Sequence, residues 1–154
     1  MFLTVHATAG AILGSQISNP AAAFFAGYIS HFILDAIPHG DDHLFNGLSH
    51  KRWVVALAIT AATDGLTALL WLLLLDFHLL LPLTLSVAAG AFGAVLPDLL
   101  SGVFHLTQSK LVEWNHRLNE RSHALIVKTP WPMAQGFVLQ AFFFAVLVTT
   151  ILYV

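Results

Sequence analysis

The chain has 154 residues, of which 58% are hydrophobic and 9% are charged, and its formal net charge at pH 7 is −2. Together with a mean hydropathy of +0.81, this composition excludes an ordinary soluble domain and predicts an integral membrane protein. The sequence has no cysteine, which also excludes disulfide bonds and thiolate metal ligands, whereas nine histidines and eight carboxylates remain as candidate ligands.

Five apolar segments are predicted to form helices. In chain order they are Phe2 to Ile17, Ala21 to Ile37, Trp53 to Leu75, Leu79 to Phe104 and Met133 to Val154. The first two are short for a full crossing. Because asparagine caps helices and proline opens them readily, Asn19 and Pro20 predict a tight turn and an antiparallel hairpin. The connection from Asp76 to Pro82 predicts a second hairpin.

A short amphipathic stretch follows the fourth segment. Leu111, Trp114 and Leu118 fall at helical spacing among polar residues, which predicts a short helix on the membrane surface. The predicted fold is therefore all-α, with residues 1–154 forming one integral membrane domain. It is a polytopic bundle of about five helices, made of two antiparallel hairpins and a C-terminal helix, with the short interfacial helix in addition.

The two hairpins share a weak internal repeat. Gly27 precedes Asp35 by the same offset at which Gly90 precedes Asp98, and an alanine stands before each glycine. Small residues of this kind predict close helix packing.

The basic residues predict how the chain is oriented. If successive segments alternate in direction, the N-terminus and the two long loops share one side, together with every basic residue: Lys51, Arg52, Lys110, Arg117, Arg121 and Lys128. The positive-inside rule places that side in the cytoplasm of a cell whose inner membrane holds the protein. All the histidines except His78 lie on the same side, which predicts a functional site there.

The run HFILDAIPH contains the first candidate ligands. His31 and Asp35 are four residues apart, so a helix presents both on one face, near enough to hold one metal ion. His6 lies at a similar depth in the first helix and is either a third ligand or a histidine hydrogen-bonded between helices. His39 follows Pro38 and either folds back to the metal or is a solvated loop residue.

Two further carboxylates stand inside apolar segments. Asp64 has no basic residue near it in sequence, and a carboxylate in hydrocarbon needs a partner or a proton. It is a candidate metal ligand and catalytic group, or a neutral acid hydrogen-bonded across helices. Asp98, near the end of the fourth segment, is a candidate ligand or catalytic carboxylate, and His105 lies seven residues later on the same helical face.

The segment NHRLNERSHAL combines histidine with arginine. Arg117 and Arg121 can clamp a phosphate while His116 and His123 bind metal or move protons. The alternative is a basic interfacial helix attracted to anionic lipid, which explains the arginines but leaves the histidines unexplained. The residues Asp41, Asp42, His43 and His50 are expected in a solvated loop.

The elements HATAG, GYISHFILD, LPD and HR followed by SH resemble those of bacterial membrane-bound, YdjM-like metal-dependent hydrolases. The helical core of that family looks related to zinc-dependent phospholipase C. The resemblance implies that metals are surrounded by His6, His31, Asp35, Asp98, His116 and His123. The HxxxD element is also similar to that of the soluble zinc phospholipases, in which the aspartate bridges metals.

The leading hypothesis is a small membrane hydrolase with one to three divalent ions, most simply Zn²⁺, near the cytoplasmic surface. Its substrate is expected to be a phosphoester, with a lipid phosphate as the natural choice, and its partners to be membrane lipids and no nucleic acid. A metal-ion or proton-coupled transporter is the alternative, since intramembrane HxxxD pairs also bind zinc in carriers. A structural membrane protein with a degenerate metal site remains open as a third possibility.

Overall fold

A computed structural model describes residues 1–40, 45, 47–125 and 132–153. Within these ranges the chain forms six α-helices and no strand, so the predicted all-α class is confirmed there. The helices are α1 (Leu3–Gln16), α2 (Pro20–Asp35), α3 (His50–Phe77), α4 (Leu85–Thr107), α5 (Lys110–His123) and α6 (Met133–Ile151). Asp41, Asp42, His43 and Lys128, for which the sequence made predictions, lie outside the described residues.

Three helices, α3, α4 and α6, are long and apolar enough to cross a membrane. In contrast, α1 has 14 residues and α2 has 16, which at the rise of an α-helix gives lengths of about 21 and 24 Å. A bilayer core is about 30 Å thick, so these two helices are too short to span it even when they stand upright in the membrane. The chain therefore has the composition and the helix lengths of a membrane protein.

The helix boundaries follow local capping chemistry. The side chain of Asn19 accepts hydrogen bonds from the N–H groups of Ala21 and Ala22, and Pro20 occupies the first turn of α2, as the sequence predicts. The predicted start of α4 at Leu79 is wrong, because α4 begins only after Thr84, whose hydroxyl caps it. Although Leu79 is apolar, it lies in the connecting turn with a positive φ of 57°.

Helices α1, α2 and α4 pack closely, backbone against backbone. A side chain on Gly10 or Gly27 would collide with the carbonyl oxygen of Gly90, and one on Gly90 would collide with the carbonyl of Gly10. This contact confirms the close packing predicted from Gly27 and Gly90. Helix α3 packs more on α1 than on α4, so the predicted second hairpin is not a tightly packed pair.

Helix α5 has an unusual distribution of side chains. The residues that it buries against α4 and α2 are all polar, namely Asn115, Asn119 and Ser122. Its large apolar side chains point outward, and Leu111 and Trp114 are 84% and 58% exposed. The helix predicted from this spacing is present, and its position at the membrane surface, which an outward apolar strip favours, stays a prediction.

The glycine contact between α1 and α4 generates a prediction about stability. Gly90→Ala should lower the unfolding temperature in detergent, because the new methyl group meets the backbone of Gly10, and overpacking of this kind costs about 1–3 kcal/mol. Gly102→Ala is the matched control on the same helix, since nothing lies within 4 Å of a side chain there. Equal melting temperatures for the two variants would contradict the packing described.

Candidate metal centre

The carboxylate of Asp35, at the end of α2, is surrounded by imidazoles. Its Oδ1 lies 3.0 Å from Nε2 of His6 and 4.0 Å from Nε2 of His39. Its Oδ2 lies 3.1 Å from Nε2 of both His31 and His123. The side chain of Asp35 is fully buried. Four histidines from three helices and one loop therefore converge on one carboxylate.

The amino group of Met1 also contacts this carboxylate, at 2.8 Å from Oδ1. This amino group places a positive charge beside the buried carboxylate, and a buried ionised group needs such a partner to offset its loss of hydration.

The side chains form two groups that share Asp35. In one, His6, His31, Asp35 and Asp98 each offer a ligand atom, and in the other, Asp35, His39 and His123 do so. The ligand atoms of each group lie within 4.8 Å of one another. Nitrogen and oxygen donors of this kind suit Zn²⁺ and other divalent transition metals.

Backbone carbonyls orient two of the histidines. Nδ1 of His31 lies 2.9 Å from the carbonyl oxygen of Ala94, and Nδ1 of His39 lies 2.7 Å from that of Ile37. A carbonyl only accepts, so both Nδ1 atoms carry the hydrogen and both Nε2 atoms are turned towards Asp35. Metal-binding histidines characteristically donate a hydrogen bond from their second ring N–H to a backbone carbonyl or a carboxylate.

His6 supplies an observation that bears directly on a metal. Its side chain is completely buried, and its Nδ1 has no hydrogen-bond partner among the described residues. Buried polar atoms without a partner are rare and need an explanation such as an ion. The donor set and this nitrogen together fit a divalent metal at the site.

Two polar residues that the sequence analysis did not select help to build the centre. Gln140 of α6 donates a hydrogen bond to the carbonyl of His39 (3.0 Å) and accepts one from the N–H of Phe2 (2.8 Å). Asn119 of α5 contacts both His31 and Asp98. Both residues had a detectable signal, since Gln140 interrupts an apolar segment and Asn119 recurs four residues after Asn115.

The structure places Asp64 outside both groups. Its carboxylate accepts hydrogen bonds from the N–H groups of Leu3 and Thr4, at 2.5 and 3.2 Å, and from the hydroxyl of Thr4. These are the first residues of α1, where unsatisfied N–H groups and the helix dipole favour an anion. Asp64 therefore caps α1 from the side of α3, which accounts for a carboxylate inside an apolar segment.

Four other predicted residues also lie apart from the shared Asp35. His105 and His116 contact each other, with ring centroids 4.8 Å apart, and His116 stacks on Phe104. Arg117 forms an exposed ion pair with Glu113 at 2.6 Å. Arg121 is exposed in the last turn of α5. Asp98 and His105 share a face of α4 but lie about 10.5 Å apart along its axis, so they do not belong to one group. Asp98 contacts Asn119 of α5, and His105 contacts His116.

No family model matches the chain, and comparisons with curated proteins and with solved structures found no match either.

The capping role of Asp64 generates a prediction. Asp64→Ala should destabilise the protein by about 1–2 kcal/mol, the usual effect of losing a helix cap, without changing the amount of metal bound by folded protein. Thermal unfolding and elemental analysis of the same preparation measure both quantities. Asp76→Ala, which removes a bond to the N–H of Leu83 at the far end of α3, is the control for loss of one aspartate. Folded Asp64→Ala protein that has lost metal would make Asp64 a ligand after all.

Proposed function

We propose that this chain is a membrane-embedded, metal-dependent hydrolase that cleaves a phosphoester, with a lipid phosphate as substrate. The observation that carries the proposal is the buried carboxylate of Asp35, shared by two groups of metal-ligand side chains. The resemblance of its short motifs to the YdjM-like hydrolases supports the same chemistry. Zinc phospholipases, which also use an HxxxD aspartate between metals, are the more distant parallel.

Two divalent ions fit the arrangement. His6, His31 and Asp98 would hold one, His39 and His123 would hold the other, and Asp35 would contact both. Ions of this kind supply Lewis acidity, which makes water a better nucleophile at neutral pH and stabilises negative charge on phosphate.

The accessible side of the centre is formed by Asp98 and His123. Their side chains are 27% and 25% exposed, whereas those of His6, His31 and Asp35 are fully buried. A substrate therefore reaches the centre past Asp98 and His123. We propose that all these ligand residues hold the ions and that the two accessible ones, Asp98 and His123, also face the substrate.

Asp98 is the candidate general base. Water adds to phosphorus and gives a proton to the Asp98 carboxylate, the bond from phosphorus to the ester oxygen breaks, and the alcohol takes up a proton as it leaves. That proton is the one that Asp98 took from water, so the step balances while His123 remains a ligand of the second ion. Asn119 holds Asp98 in place through a 3.1 Å hydrogen bond.

A location at the membrane surface supports a lipid substrate. The apolar strip of α5 points away from the protein, and Arg117 and Arg121 lie beside it on the exposed surface of the helix. Arginine at this level suits lipid phosphate. We propose that α5 lies at the cytoplasmic face of the inner membrane, on the side where the sequence places every basic residue.

The packing of the bundle disfavours the transporter alternative. Beyond the metal centre, α1, α2 and α4 meet through Gly10, Gly14, Gly27 and Gly90, where even one added carbon collides with backbone. A polar pathway between α1, α2 and α4 at this level would therefore require these helices to separate.

The proposed activity is tested with two substitutions in the centre. Purified wild-type protein should bind two divalent ions and hydrolyse a phosphodiester or a fluorescent phospholipid. Asp35→Asn and His31→Ala should both lower the metal content, because each substitution removes a direct ligand. Each should also lower the rate of hydrolysis by at least about 100-fold. The matched control is His78→Ala, since His78 is an exposed histidine at the opposite end of α3.

Wild-type protein without metal would refute the proposal. Protein that binds metal, hydrolyses neither substrate and carries zinc into vesicles would favour the transporter instead.

The proposed orientation is tested by chemical labelling, which is simple because the chain has no cysteine of its own. Single cysteines replace Leu79, between α3 and α4, and Gln108, between α4 and α5, both of which are exposed. A membrane-impermeant maleimide added to intact cells should label Leu79→Cys and should label Gln108→Cys only after the cells are permeabilised. The reverse pattern would place the metal centre on the outer side.

A further inference from the structure

The side-chain amide of Asn119 lies between His31 and Asp98. Its Oδ1 is 3.0 Å from Nε2 of His31, and its Nδ2 donates to Oδ1 of Asp98 at 3.1 Å and to Oγ of Ser101 at 3.4 Å. Asn119 is 8% exposed, so water does not readily replace these contacts. The amide thus contacts two members of the first ligand group, and its oxygen lies beside the ligand nitrogen of His31.

The neighbours fix which way the amide points. An ionised carboxylate accepts hydrogen bonds and cannot donate them, so the NH₂ group must face Asp98. Rotation of the amide by 180° would set its oxygen against the carboxylate oxygen. The oxygen of Asn119 therefore points towards His31.

Nε2 of His31 is surrounded by oxygen atoms. Besides Asn119, it lies 3.1 Å from Oδ2 of Asp35 and 3.7 Å from Oδ1 of Asp98. Since Nδ1 carries the hydrogen that is donated to Ala94, Nε2 needs either a second proton or a metal ion to face three acceptors. When an ion takes the lone pair of Nε2, the amide oxygen loses its hydrogen-bond donor and is left buried beside the ion.

We infer that Asn119 Oδ1 is itself a ligand of the ion held by His6, His31, Asp35 and Asp98. The inference rests on the metal centre of the proposed function. An amide oxygen is a neutral, hard donor, and as a ligand it replaces the lost hydrogen bond at no cost in charge. With Asn119 the first group gains an additional ligand, and this ligand is supplied by α5.

The docking of α5 does not by itself explain why an asparagine stands at position 119, because Asn115 already attaches the helix to the bundle. Asn115, one turn earlier, donates to the carbonyl of Pro97 at 2.8 Å and accepts from the hydroxyl of Tyr28 at 2.9 Å. It is completely buried and ties α5 to both α4 and α2. No metal-ligand side chain contacts Asn115 among the described residues, whereas Asn119 contacts two.

The inference is tested with cobalt(II), whose visible spectrum reports its coordination number. Asn119→Leu keeps the branched shape and the number of heavy atoms of the side chain and removes its oxygen. It should strengthen the visible absorption, as coordination number falls, and weaken the binding of one cobalt ion by about 10- to 100-fold in competition with a chelator. Asn119→Asp keeps an oxygen ligand and should bind cobalt at least as tightly as wild type.

Ser101→Ala is the matched control, because it removes a contact of Nδ2 and no ligand. It should leave the cobalt spectrum and affinity unchanged. Circular dichroism establishes that each variant is folded, and if Asn119→Leu is not folded, Asn119→Asp decides the question.

The outcomes separate the two proposals. Wild-type protein that binds no cobalt refutes the metal centre of the proposed function. If wild type binds cobalt and Asn119→Leu shows the same spectrum and affinity, the metal centre stands and the inference is overturned. Loss of the ion from folded Asn119→Asp protein, or a change in Ser101→Ala as large as that in Asn119→Leu, also overturns it.

Discussion

Asp35 carries a carboxylate whose side chain is completely buried, and an ionised group in such a place costs several kcal/mol unless opposite charges and hydrogen bonds surround it. The rest of the centre is arranged to meet that requirement. Imidazoles from α1, α2, α5 and the loop after α2 approach both of its oxygens, within 3.0 to 4.0 Å. Helices distant in sequence are held together because each contributes part of the environment of one anion.

This convergence depends on the small residues deeper in the bundle. The imidazole of His6 reaches Asp35 because α1 lies in backbone contact with α4, where Gly10 approaches the carbonyl oxygen of Gly90. Gly27 of α2 lies against the same carbonyl oxygen. A larger side chain at any of these glycines would separate the helices and move the ligands apart. Glycine packing and ligand geometry are therefore one constraint on the sequence.

The sequence predicted what is local and missed what depends on packing across the bundle. The spacing of His31 and Asp35 fixed their common face without knowledge of other helices. Hydrogen bonding across helices was one of the alternatives for Asp64, but its role as a cap of α1 could not be predicted, because its partners are backbone N–H groups that no sequence pattern reveals. The role of Asn119 was not predicted because the apolar spacing of Leu111, Trp114 and Leu118 marks the outer face of α5, whereas its polar face is the buried one.

The polar face of α5 has a thermodynamic consequence. Asn115 and Asn119 join the helix to the bundle by hydrogen bonds rather than by an apolar core, and such contacts contribute only about 0.5–1.5 kcal/mol each. The same helix delivers His123 to Asp35. An ion held between these two residues would therefore tighten the docking of α5 by the same factor by which docking tightens the ion, as reciprocal linkage requires. In such a protein, the docking of α5 on the bundle and the occupancy of the buried metal centre are two measures of a single equilibrium.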